Sequence, residues 1–248
     1  MSERICVIVP TYNNAGTLRQ VLNDILKYTE DLIVVNDGCT DGTDAILSEY
    51  TGRIDTIRFR RNRGKGAALR AAFDVAYGQG YSAAITMDAD GQHLASDLPA
   101  FFKAAEENPG ALVLGIRENL ADKNKSGGST FANRFSNFWF TIQTWTRLKD
   151  TQCGYRLYPL RKIRHVRFLT SRYEAELELL VSCAWRDAKI VQIPVTVLYP
   201  EDRVSHFRPF ADFARISLLN TVLCVVAVIY GLPRRLLTKF FNLFRRKK

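Results

Sequence analysis

Apolar residues recur along this chain with two alternating periods. Ile5–Pro10 (ICVIVP) is an unbroken apolar run, the pattern of a strand covered on both faces. In TLRQVLNDILKY, which follows, Leu18, Val21, Leu22, Ile25 and Leu26 fall at helical spacing. Asp31–Asp37 (DLIVVND) reads as a second strand, DGTDAILSEY as a short helix and TIRF as a third strand. A glycine-bearing loop then leads into the helix AALRAAFDVAYG, and SAAITM and Ala111–Arg117 (ALVLGIR) predict a fourth and a fifth strand. This repetition predicts an α/β fold with a doubly wound, mostly parallel sheet. Ligands of such sheets bind beyond the carboxyl ends of the strands. The residues there are TYNN, NDGCTDG, RNRGKG, DADGQH and RENL, which bring Asp37, Arg61, Lys65, Asp88 and Asp90 to one rim. Loops are polar in most proteins, but a charged group at nearly every strand end points to a ligand.

The chain has 248 residues, enough for a full core in a single α/β domain. Its net charge of +10 is unevenly placed. From Arg203 to Lys248 there are ten Lys/Arg and one acid, Asp212, which leaves only +1 on residues 1–202. A basic end of this kind suits nucleic acid or an anionic lipid surface. The five cysteines are scattered and lack metal-ligand spacing, so a disulfide framework or zinc site is not expected and a reducing compartment is. MSERICVIVP enters a strand directly, without the apolar stretch of a signal peptide.

ITMDADGQH raises the sharpest chemical question. Asp88 and Asp90 repel each other across one small residue unless a cation lies near them. At the end of a buried strand a divalent metal with oxygen ligands is the natural partner. The alternative is an ordinary Asp/Gly turn.

VIVPTYNNAGTL, IVVNDGCTDGT, RNRGKGAALRAAF and MDADGQH occur here in the order seen in family 2 glycosyltransferases. Residues 5–210 resemble the dolichyl/polyprenyl-phosphate sugar transferase branch of that family. The resemblance implies a GT-A fold around a nucleotide-sugar site, with a catalytic domain over 1–210 and a membrane-associating helical segment over 211–248. It implies that Asp90 coordinates Mg2+ or Mn2+, that Asp88 positions ribose and metal, and that Asp37 hydrogen-bonds the donor nucleotide. Capping of the next turn or helix is the other role open to Asp37. Pro10, Tyr12, Arg61, Lys65 and Gln92 fall on the donor side, as do Ser205 and His206, with Arg208 at the diphosphate. His93 completes the family's DGQH, and a structural hydrogen bond would serve it equally well. RNRGKG is not a P-loop, because Gly66 stands where Ser or Thr is needed. Haloacid-dehalogenase-type phosphatases also carry Asp-x-Asp-Gly after a strand, but near the N-terminus and continuing with Thr or Val, where this chain has Gln92.

The resemblance also places the acceptor in the second half. It assigns Arg117, Arg134 and Ser136, with Asn137 beside them, and Asp150 and Arg156 in the loop DTQCGYRLY, to an acceptor phosphate that a guanidinium fork fits. In SRYEAELELL, Glu174 and Glu178 share a helix face, Glu174 matches a site position, and Glu176 and Glu178 read as solvated charge. The Gln-x-x-Arg-Trp of processive relatives is missing, so transfer of a single sugar is expected, and the resemblance implies that the transfer inverts the sugar. An anionic lipid phosphate would need no general base; an alcohol or amine acceptor would turn attention to Glu174 or Asp150.

Ile216–Leu232 is an uncharged run of 17 residues, about 26 Å as a helix and short of a hydrocarbon core of about 30 Å. Beyond Pro233, Leu236, Leu237, Phe240, Phe241 and Phe244 share one helical face with basic groups around them, as in a helix lying on anionic lipid. The expectation is a peripheral or monotopic enzyme on the cytoplasmic face of the cell membrane, with no nucleic-acid partner. The uncharged run could also serve as a core or dimer helix, making a homo-oligomer. Transfer to another lipid or to a surface glycan, and an idle membrane-binding module, are the alternatives.

Overall fold

A computed structural model describes residues 3–117, 127–166, 170–172, 174–198, 209–231 and 233. Seven strands form one mixed sheet: β1 (Ile5–Thr11), β2 (Leu32–Asn36), β3 (Asp55–Arg58), β4 (Ala83–Thr86), β5 (Leu112–Arg117), β6 (Arg156–Pro159) and β7 (Ile190–Val195). Their order is β3-β2-β1-β4-β6-β5-β7. All neighbours are parallel except β6, which runs antiparallel to both β4 and β5. The doubly wound, mostly parallel sheet is therefore present, with one reversed strand at its middle.

Helices cover both faces. On one side lie α1 (Ala15–Ile25), α2 (Thr43–Ser48) and α4 (Leu98–Glu107); on the other lie α3 (Lys65–Gly78), α5 (Gly127–Thr144), α6 (Leu160–Ile163), α7 (Glu174–Trp185) and α8 (Pro209–Val226). The unbroken apolar strands follow from this double cover. Val7 and Val9 face the α1 side, whereas Cys6 and Ile8 face the α3 side, all fully buried.

α8 spans the expected boundary near residue 210 and packs into the α3-side core through Leu219 and Leu223, with Ala227 of the π-helical turn that follows. Its Asn220 accepts from Gln143 Nε2 of α5 at 3.0 Å. Leu218, Val222 and Val225 remain exposed, as do Val228 and Ile229 in the turn. Among the described residues no helix is long and apolar enough to cross a membrane. The amphipathic segment expected after Pro233 lies outside the described residues.

Candidate active site

The carboxyl ends of β1, β2 and β4 open onto one rim, as the parallel topology requires. Pro10 is buried within β1, and Tyr12 follows it half-buried. Asp37, just after β2, is buried; its Oδ1 accepts from the Arg63 N–H at 2.7 Å and its Oδ2 from the Gly64 N–H at 2.8 Å. Burial raises the Asp37 pKa, and the two amides partly oppose that rise. The structure thus ties this carboxylate to two backbone amides of the loop that leads into α3. Arg61, in the same loop, is exposed. Its backbone lies so close to Gly38 (φ +68°) that a Cβ there would sit 2.3 Å from the Arg61 carbonyl carbon.

Lys65 opens α3 and reaches under the rim, its side chain only 13% exposed. Its Nζ donates to Asp88 Oδ1 at 2.6 Å and to Glu176 Oε2 of α7 at 3.0 Å. Burial alone would lower the Lys65 pKa, but the two carboxylates outweigh it and hold the ammonium well above its ordinary range. Burial would raise Asp88, yet Lys65 and then His93 hold it below its ordinary value. Gly154 closes the trio from behind. A Cβ there would lie 2.9 Å from Asp88 Oδ2, 3.1 Å from Lys65 Nζ and 3.4 Å from Glu176 Oε1.

The loop that carries the Asp-x-Asp pair is held at several points. Thr17 Oγ1 of α1 donates to the Ala89 carbonyl at 2.6 Å, and the Gln92 N–H donates to Asp90 Oδ1 at 3.0 Å. The Gln92 carbonyl accepts from the Leu198 N–H at 2.8 Å. Asp90 and Gln92 are half-buried, and Gly91 between them adopts φ +74°. His93 is buried against the Tyr155 ring, 5.1 Å between centroids, and burial pushes its pKa down to about 4. It is a neutral structural ring at neutral pH.

Among the described residues no three His, Cys, Asp or Glu side chains stand close enough to cage a metal unaided. A Mg2+ or Mn2+ bound with a diphosphate needs only one or two carboxylates, since phosphate oxygens and water complete the shell. Asp90 and Asp88 are a donor set of that kind, hard oxygens on one short loop. Asp88 is paired with Lys65 at 2.6 Å, and Asp90 accepts from the Gln92 N–H. The residues present fit the group.

The expected acceptor residues separate into distinct roles. Arg117, the last residue of β5, grips Asp150 with two hydrogen bonds, Nε to Oδ2 at 2.6 Å and Nη2 to Oδ1 at 2.9 Å. Burial would raise the pKa of this fully enclosed carboxylate, but the Arg117 guanidinium holds it below the usual range. Asp150 also accepts from the Gln152 and Cys153 N–H groups, so it is an internal brace and not an exposed base. Ser136 is buried and accepts from Thr151 Oγ1 at 2.8 Å. Arg156 is 1% exposed, begins β6 and donates to the carbonyls of Cys153, Thr151 and Glu176 and to the Tyr158 hydroxyl. Asp150, Ser136 and Arg156 are each enclosed, with their polar atoms bonded inside the protein. Arg134 is exposed on α5.

Glu174, at the start of α7, is buried and its Oε2 lacks a hydrogen-bond partner. Ser205, His206 and Arg208 lie outside the described residues. Glu176 and Glu178 are not the solvated charges that the sequence suggests: both are buried, because α7 is covered around nearly its whole circumference. The signal that could have found them is a mean-apolar helix carrying three glutamates with no polar face to put them on.

Comparison with known proteins agrees with this geometry. Residues 6–167 match glycosyl transferase family 2. A dolichyl-phosphate beta-glucosyltransferase of Dictyostelium discoideum is 26% identical over 239 residues, covering 86% of this chain and 71% of that protein. A polyprenol monophosphomannose synthase of Mycolicibacterium smegmatis is 27% identical over 219 residues, covering 82% and 81%. Among solved structures, glucosyl-3-phosphoglycerate synthase from Mycobacterium tuberculosis, in complex with Mn2+, UDP and phosphoglyceric acid, superposes with a TM-score of 0.69 at 16% identity. It covers 91% of this chain and 78% of that one, a likeness of fold that makes the architecture GT-A-like. With the family match running from β1 past β6 and the Asp-x-Asp loop at the end of β4, the chain is a glycosyltransferase and belongs to glycosyl transferase family 2.

Proposed function

We propose that this enzyme moves a single hexose-type sugar, with inversion, from a UDP- or GDP-linked donor to a membrane lipid carrier, polyprenyl phosphate. The observation that carries the reading is the Asp88–Asp90 loop, braced by Lys65 and opening on the rim where a parallel sheet binds ligands. The names of the relatives support the lipid-phosphate acceptor.

The donor diphosphate lies at the β4 rim, toward Asp90 and Asp88, and the nucleotide between the loops that follow β1 and β2. Pro10, Tyr12, Asp37, Arg61 and Gln92 are its proposed surroundings, with Ser205, His206 and Arg208 completing the diphosphate side. Asp90, with Asp88, would hold Mg2+ or Mn2+, which would supply positive charge to offset the charge that builds on the leaving group. The acceptor phosphate is already an anionic nucleophile. Its oxygen attacks the anomeric carbon as the bond to the diphosphate breaks on the opposite side, which yields the inverted product. Such a reaction needs orientation and electrostatic support more than a base. Arg134, exposed on α5, is the proposed first contact for the acceptor phosphate, and the Arg117–Asp150 pair fixes the end of β5.

The membrane partner is an anionic lipid surface at the cytoplasmic face. Leu218, Val222, Val225, Val228 and Ile229 present the apolar side chains that such a surface would take, and the sequence continues into RRLLTKFFNLFRRKK.

The test is a transfer assay with Mn2+ or Mg2+, a panel of UDP- and GDP-sugars, polyprenyl phosphate and Asp90→Asn as control. An acid-labile labelled lipid from one donor, lost in the variant, is the expected result. Nucleotide release without a lipid product would move the acceptor to another lipid or a glycan. No turnover with any donor, even with native membranes added, would overturn the reading.

A further inference from the structure

Glu176 carries no role in the mechanism above, yet its placement is costly. It is 8% exposed, and glutamate is almost never fully buried unless paired. Its Oε2 accepts from the Lys65 ammonium, which Asp88 Oδ1 already holds at 2.6 Å, and its Oε1 is buried with no hydrogen-bond partner. Pairing Lys65 with Asp88 requires only one carboxylate. A second one adds desolvation and repulsion toward the first.

The backbone makes the arrangement stiff. The Ala67 N–H donates to the Ser171 carbonyl at 3.2 Å, and a Cβ on Gly66 would lie 2.4 Å from the Ala175 Cβ. The first turn of α3 therefore packs directly on the segment that leads into α7 and on the first turn of α7 itself, which fixes Lys65 opposite Glu176. Behind them Arg156 Nη1 donates to the Glu176 carbonyl at 2.8 Å. Two cations, Lys65 and Arg156, thus face two anions, Asp88 and Glu176, with Gly154 leaving no space for rearrangement. The ammonium lies 2.6 Å from Asp88 and 3.0 Å from Glu176, so one cation stands between two anions and the trio keeps a net negative charge. Without the Glu176 charge the Lys65–Asp88 pair would be neutral overall and would attract a divalent cation less.

We infer that Glu176 is a positioning residue for the donor: by sharing the Lys65 ammonium it holds Asp88 and Lys65 in place and leaves the trio a net negative charge toward the metal–diphosphate end of the nucleotide sugar. The inference rests on the donor-binding reading above. Residues one step removed from a metal ligand typically change metal affinity or activity by about 10- to 100-fold when altered.

The test is Mn2+ binding by the full chain, followed by the electron paramagnetic resonance signal of free Mn2+ with UDP or with GDP present and no turnover. Glu176→Gln keeps the shape and removes the charge. It is expected to weaken Mn2+ binding about tenfold, with the melting temperature kept close to that of the unaltered chain. In the transfer assay the same variant should raise the donor KM about tenfold and leave kcat within about threefold. Glu176→Asp keeps the charge and should restore binding to within about threefold. Equal Mn2+ affinity in Glu176→Gln and the unaltered chain would overturn the inference, and so would an equal loss in Glu176→Asp and Glu176→Gln. If the unaltered chain binds no Mn2+ with either nucleotide, the donor reading itself fails, a result distinct from either of these.

Discussion

His93 offers a prediction whose size follows from its surroundings. The ring is 7% exposed, and its Nδ1 is buried without a hydrogen-bond partner. Burial disfavours the charged form and brings the pKa down to about 4, against the opposing pull of Asp88. An unfolded chain protonates the same histidine near pH 6.5. The folded pKa is the lower of the two, so the unfolded state takes up the proton first. Stability is full above about pH 6.5, declines as pH falls toward about 4, and loses nothing further from this group below that. With about 1.36 kcal/mol per pKa unit, a gap of roughly 2.5 units amounts to about 3 kcal/mol. The assay is guanidinium unfolding of the unaltered chain and of His93→Gln between pH 8 and pH 4.5, followed by tryptophan fluorescence. Carboxylates common to both proteins cancel in the difference between their unfolding free energies. That difference should shrink by about 2–3 kcal/mol over this range. Parallel curves, within about 0.5 kcal/mol throughout, would refute a buried neutral His93.

Asp90→Asn should lower metal-dependent transfer by at least about 100-fold while leaving the melting temperature nearly unchanged, because the residue is only half-buried on a loop; activity and thermal melts together check this. Gly154→Ala should destabilise the fold by about 1–3 kcal/mol, and weaken donor binding, since its methyl would meet Asp88, Lys65 and Glu176; unfolding curves and donor KM report the two effects. Asp150→Asn leaves the largely buried Arg117 guanidinium without its counter-charge and should cost about 3–5 kcal/mol in unfolding free energy. Arg134→Met should instead raise the acceptor KM with little change in stability, because it alters an exposed position.

The sequence pattern revealed whatever depended on burial of a strand on both faces. β1, β2, β4 and β5 are legible as apolar runs, and their carboxyl ends predicted the rim correctly as a place. β6 was hidden because RLYP begins with an arginine, a residue that reads as loop. Its guanidinium tolerates the middle of the sheet by supplying four hydrogen bonds to internal acceptors. β7 was hidden for a different reason: Gln192 and Pro194 interrupt it. Both are tolerable at the sheet edge, where a strand has a partner on one side only. Glu176 and Glu178 mislead because glutamates on a helix read as its solvated charge. Spacing identifies a solvated face only on a helix that has one, and α7 is covered nearly all round. Glu178 finds its partner locally, accepting from the Thr170 N–H and hydroxyl.

The charged groups around the rim share one design. Lys65 is held by Asp88 and Glu176, Arg117 by Asp150, and Arg156 by carbonyls and a tyrosine hydroxyl. Each of these cations is largely buried, so an unpartnered one would carry a desolvation penalty of several kcal/mol. Their partners are therefore conditions of folding, and the cations are not loose hands awaiting a phosphate. A ligand phosphate displacing Asp150 from Arg117 would have to leave a fully enclosed carboxylate uncompensated, which its own attraction could hardly offset. Asp90, half-buried on the β4 loop, and Arg134, exposed on α5, are less enclosed than these cations and stand on separate elements. A fixed, internally paired frame is what electrostatic preorganisation requires, because its charges need no rearrangement when a charged ligand arrives.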